Sequence, residues 1–77
     1  MTPAQFAAWR ERLHLSKRAA AEALGVHPET IANYESGQRR DTGKRVEIPR
    51  AIALACSAIA HGLPPYGGPA EVAIRNK

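Results

Sequence analysis

"ALGVHPETI", residues 23–31, lies between two stretches that each favour helix. Before it runs Ser16-Lys17-Arg18-Ala19-Ala20-Ala21-Glu22, rich in strong helix formers; after it runs Ala32-Asn33-Tyr34-Glu35, also compatible with helix. Gly25 and Pro28 break what would otherwise be one continuous helix. Glycine accepts the left-handed conformation that closes a helix, and proline suits the first turn of the next. The stretch therefore encodes two short helices meeting at a tight turn. Ser16 caps the first, with Leu15 before it as a staple, and Ala20, Ala21 and Leu24 form its inner stripe. Val26 folds back over the last turn. Glu29 sits near the positive end of the second helix, Ile31 and Tyr34 form its inner face, and Gly37 ends it.

Outward from this pair, Thr2-Pro3-Ala4-Gln5 reads as a capping box, and Phe6, Trp9 and Leu13 recur at helical spacing, which predicts a helix over residues 3–13. "SGQRRDTGKRVE", residues 36–47, has no apolar period and reads as a loop; it sets Arg39, Arg40, Lys44 and Arg45 against two acids, Asp41 and Glu47. Pro49 starts a fourth helix that runs to about His61, where Gly62 and then Pro64-Pro65 stop it. Residues 63–77 are rich in proline and glycine and read as an extended tail, with a short strand expected at Val72 and Ile74. The expected organisation is an all-α domain over residues 1–62 followed by that tail.

The fourth helix is apolar on most sides. Ile48, Ile52, Ala55 and Ile59 form one stripe, and Ala51, Leu54 and Ala58 another. Such a helix is buried on most sides, and a chain of 77 residues offers one modest core. A twofold contact through Ile52, Ala55, Ile59, Leu63 and Tyr66 is therefore expected, the competing arrangement being a tail folded over the same face.

Composition narrows the function classes. The net charge of +4 favours an anionic partner such as nucleic acid. The single cysteine, Cys56, allows no intrachain disulfide, and its place on an apolar helix suits a small buried filler. No apolar run is long enough to span a bilayer and no signal peptide opens the chain, so a cytoplasmic location is expected. His14, His27, His61 and Cys56 lack ligand spacing, so no metal is expected. No paired carboxylates, nucleophile elbow or phosphate-cradling glycine loop is present, so neither a cofactor nor enzymatic activity is expected.

Two helices joined by a tight glycine-containing turn make a helix-turn-helix. The first crosses a DNA backbone and the second presents its outward face to base edges in the major groove. That outward face is Glu29, Ala32, Asn33 and Ser36, given Ile31 and Tyr34 inside. Asn33 pairs with adenine and Glu29 accepts from cytosine; the plain alternative is that both are ordinary solvated residues. His27 either caps the second helix or joins the contact. Ser16, Lys17 and Arg18 cluster at a helix N-terminus suited to phosphate, Thr30 adds a phosphate or thymine-methyl contact, and Arg39, Arg40, Lys44 and Arg45 supply loop cations.

The run "LSKRAAAEALGVHPETIANYESG", residues 15–37, resembles the Cro/repressor-type helix-turn-helix of the lambda repressor-like (Xre) family. Ala21, Leu24, Gly25, Val26, Ile31, Tyr34, Glu35 and Gly37 fall where that pattern wants them. The resemblance implies a compact four- to five-helix bundle that binds double-stranded DNA, usually as a homodimer. It also implies an ion pair between Arg10 on the first helix and Glu35 on the third. Lys17 stands where members often carry glutamine, Pro28 where they often carry a polar residue, and residues 36–47 are long for the family. The function implied is a bacterial or phage transcriptional regulator, an autoregulatory repressor on an inverted repeat. The rivals are an antitoxin whose tail binds a toxin, a protein-interaction module that lost DNA binding, and an activator touching polymerase.

Overall fold

The computed structural model describes residues 1–67, and the strand expected at Val72 and Ile74 lies outside them. Four helices are formed among the described residues: α1 (Pro3–Arg12), α2 (Lys17–Leu24), α3 (Pro28–Ser36) and α4 (Arg50–Ala60). Their limits follow local chemistry. Thr2 Oγ1 accepts from the Gln5 N–H at 3.1 Å while Gln5 Oε1 accepts from the Thr2 N–H at 2.8 Å, the reciprocal pair that satisfies two orphan donors. α1 stops at Arg12 with Leu13 as its C-cap, and His14 reverses the chain at φ 57°. Ser16 Oγ accepts from the Ala19 N–H at 3.0 Å and starts α2.

The turn between α2 and α3 is three residues long. Gly25 adopts φ 73°; its N–H donates to Glu22 O at 3.3 Å and the Val26 N–H to Ala21 O at 3.0 Å, closing α2 in a Schellman arrangement. His27 then caps α3, with Nδ1 accepting from the Glu29 N–H at 3.0 Å, and Pro28 occupies the first helical position.

The core is Phe6, Ala20, Ala21, Ile31 and Tyr34, with Trp9, Leu15, Leu24, Val26, Val46, Ile48 and Ile52 packed around it. α3 packs on α1 and α2, and α4 packs on α2. Ala20 and Ala21 are small enough to let α2 approach α3 closely. Phe6 meets Trp9 edge-on at 5.3 Å and lies tilted against Tyr34 at 5.4 Å. Trp9 Nε1–H donates to Cys56 O at 2.9 Å and so ties α1 to α4.

On α4 the innermost side chain is Cys56, and Ile52 is partly buried against the core. Leu54, expected on a second apolar stripe, is 61% exposed. Residues 37–47 follow α3 as the expected loop. They turn back in a short hairpin with an antiparallel bridge between Gln38 and Arg45. It is held by Arg39 N–H to Lys44 O (2.7 Å), Gly43 N–H to Arg39 O (2.8 Å) and Val46 N–H to Gly37 O (3.0 Å). Main-chain bonds carry this hairpin, so apolar periodicity could not reveal it.

Candidate nucleic-acid interface

The outward face of α3 borders a shallow groove of about 440 Å³. Ala32, Asn33 and Ser36 line it from α3, Lys17 from the start of α2, and Gln38, Arg39 and Arg40 from the hairpin. Three separate elements thus converge on one concave surface. Two features hold it in shape. The αL turn at Gly25 sets α2 against α3, and Arg10 braces α3 from behind. Arg10 Nε and Nη2 donate to the two carboxylate oxygens of Glu35, the second at 3.1 Å, while Nη1 donates to Leu15 O at 2.9 Å. Both side chains are mostly withdrawn from solvent, and the hydrogen bond to Glu35 lifts the Arg10 pKa despite burial. The bidentate geometry makes this a firm clamp between α1, α3 and the chain entering α2.

Each expected contact residue has a definite place. Asn33 and Ala32 are half-buried on the groove floor. Glu29 is exposed one turn earlier, near enough to Arg39 to help raise its pKa, although Asp41 is the larger cause. His27 Nδ1 accepts the Glu29 N–H as the cap of α3, which leaves Nε2 for a partner. Thr30 is half-buried on the flank of α3. Ser16 Oγ accepts from Ala19, leaving its hydroxyl hydrogen to donate. Arg18 lies within 4.0 Å of Glu22 on an exposed flank of α2 and does not line the groove.

The hairpin cations divide into two kinds. Arg39 Nε and Nη2 reach Asp41 Oδ1 and Oδ2 at 3.2 and 3.4 Å, and Arg45 Nη2 reaches Glu47 Oε2 at 3.3 Å. Asp41 titrates below the usual carboxylate range, chiefly because Arg39 donates to it. Arg40 and Lys44 make no ion pair among the described residues, nor does Lys17. The sequence reading missed both this partition and Gln38, whose only signal was an amide side chain directly after the helix-ending Gly37.

Away from the groove, Ala55, Ile59, Leu63 and Tyr66 line an apolar recess of about 330 Å³ with Leu24. Leu63 is 60% exposed and Tyr66 fully so. Among the described residues no cluster of three His, Cys, Asp or Glu could hold a metal ion, and no helix is long and apolar enough to cross a membrane.

Comparison with known proteins adds one finding. A family model described as Helix-turn-helix matches residues 6–48, more than half of the chain, from α1 through the hairpin. None of the curated proteins and none of the solved structures compared with the chain matches it.

Proposed function

Since the chain belongs to the Cro/repressor-type helix-turn-helix family and is a DNA-binding transcription regulator, we propose that it is an autoregulatory repressor that reads an inverted-repeat operator as a homodimer. The observation that carries this reading is the groove in which Asn33 on α3 is flanked by Lys17 and Arg40 from two other elements. A polar reading face bordered by cations meets the two requirements of a specific site: phosphate contacts set the register and base contacts choose the sequence.

In this mechanism α3 enters the major groove. Asn33 pairs with adenine, Glu29 accepts from a cytosine amino group, and His27 donates through Nε2. Ala32 offers a methyl-sized contact to thymine. Ser16, Thr30, Lys17, Arg40 and Lys44 hold the backbone, with Arg18, Arg39 and Arg45 as outer contacts that must first give up their carboxylate partners. Two subunits joined through Ile52, Ala55, Ile59, Leu63 and Tyr66 would place half-site centres roughly 34 Å apart or a multiple of that. Such occupancy of promoter DNA excludes polymerase.

Fluorescence anisotropy on the DNA upstream of the chain's own gene and on a scrambled duplex, across a salt series, tests this directly. Tight binding to the first alone is expected. The three cations of this site that form no ion pair among the described residues, Lys17, Arg40 and Lys44, predict a log–log salt slope of about −5 for the dimer. No binding to either duplex at low salt would reject the reading.

The exposed Leu63 and Tyr66 favour one alternative, an antitoxin that uses the same DNA-binding core and offers this segment to a toxin. A protein that stays monomeric alone and co-purifies with the product of a neighbouring gene would select it.

A further inference from the structure

We propose that Gln38 is a base-reading residue, and that Ser36 is not a reader but the residue that positions it. The proposal rests on the DNA-binding function described above and extends the reading surface beyond α3. Gln38 is the first residue after the glycine that ends α3, and its position borders the same groove as Asn33. Its backbone is fixed from both sides. The Gln38 N–H donates to Ser36 Oγ at 3.3 Å, and Gln38 O accepts from the Ser36 hydroxyl at 2.9 Å. The bridge to Arg45 holds the same residue from the other arm of the hairpin.

This arrangement separates the roles of the two residues. A hydroxyl has one hydrogen to donate. The Ser36 hydrogen is best placed for Gln38 O, with Asn33 O at 3.3 Å the weaker choice. Ser36 therefore has no donor left for a base. Among the described residues Gln38 is bonded through its main chain only, and its side chain is exposed. A side-chain amide carries a donor and an acceptor at the spacing of adenine N6 and N7. Held on a rigid backbone, it gives up less freedom on binding than it would on a loose loop. Lys17 and Arg40 on the same groove suit phosphates, which leaves the amide for a base edge.

The test is selection from a duplex library with a randomised core, sequenced after capture, for the wild type, Gln38→Ala, Gln38→Glu, Ser36→Ala, Ser36→Thr and Asn33→Ala. Gln38→Ala is expected to lose about tenfold preference for adenine at one position per half-site, distinct from the position lost in Asn33→Ala. Gln38→Glu, which can only accept, should move that position toward cytosine. Ser36→Ala should blur the same position as Gln38→Ala and no other, and Ser36→Thr, which keeps the hydroxyl, should restore it. A merely structural role for Ser36 would lower the melting temperature without erasing one base preference. A wild-type motif that Gln38→Ala reproduces in full, or uniform weakening on all sequences, overturns the role of Gln38 alone. A wild type that enriches no sequence overturns the DNA-reading function itself, and this role with it.

Discussion

Asp41 shows how single side chains set the strength of this interface. Its carboxylate holds Arg39 through two hydrogen bonds at the edge of the groove. An exposed pair of this kind contributes little to folding, yet in the proposed function it withholds one cation from phosphate. Asp41→Asn should therefore strengthen binding to every sequence alike and steepen the salt slope by about one unit per subunit, read by anisotropy. Acid should act in the same direction: protonating Asp41 releases Arg39. Because hydrogen bonding from Arg39 lowers its pKa, that release comes at a lower pH than for an ordinary carboxylate. Asn33→Ala should instead cost about tenfold in discrimination at one base pair while leaving the salt slope unchanged. Cys56 behaves differently again. Burial pushes its thiol up to about 11, so the folded state keeps a proton that the unfolded chain releases at lower pH. Stability is thus expected to fall as pH rises from the ordinary thiol range toward about 11. Urea melts should show that decline, and Cys56→Ala should flatten it.

At the scale of elements, the angle between α2 and α3 depends on Gly25 and on the Arg10–Glu35 clamp. A Cβ at Gly25 would meet nothing within 4 Å, so Gly25→Ala is penalised only by the left-handed backbone at φ 73°. The expected loss is about 1–2 kcal/mol in chemical denaturation, without loss of base preference. Gly37 is more constrained, because a Cβ there would crowd Pro3 Cγ at 3.3 Å as well as straining φ 80°. Glu35→Ala leaves Arg10 withdrawn from water with one remaining partner, Leu15 O. It should cost about 2–4 kcal/mol, toward the lower end of what breaking a buried pair costs because both groups keep some solvent. Helix limits were legible in the sequence because capping is local. Thr2, Ser16, Gly25, Pro28 and Gly37 each act on backbone groups a few residues away. His14 was not legible: its positive φ reflects how the chain must turn from α1 into α2 under Leu15, and histidine carries no intrinsic signal for that.

For the whole molecule, the open question is what covers the recess beside α4. Leu63 and Tyr66 stand exposed next to Ile59 and Ala55, and the homodimer proposed above closes that surface. Sedimentation of the wild type at high micromolar concentration should give a dimer, and Leu63→Asp with Tyr66→Asp should give a folded monomer. That monomer should bind a single half-site with much weaker affinity. A wild type that remains monomeric would reject the homodimer and favour a different partner for residues 63–66.

The amino-acid sequence by itself determined the four helices, the turn at Gly25, the inner faces of α1 to α3 and the outward face of α3. Each of these depends on spacing along the chain or on a cap within one turn, and such interactions do not need the rest of the fold. Only the tertiary structure decided which polar residues share a surface. It brought Lys17, Asn33 and Gln38 to one groove and left Arg18 outside it. It folded residues 36–47 into a hairpin whose acids occupy two of its four cations. It also turned Cys56 inward and Leu54 outward on a helix whose apolar residues gave no unique inner face. These outcomes depend on contacts between residues distant in sequence, where helix approach and main-chain hydrogen bonds select one arrangement among several that the local pattern permits.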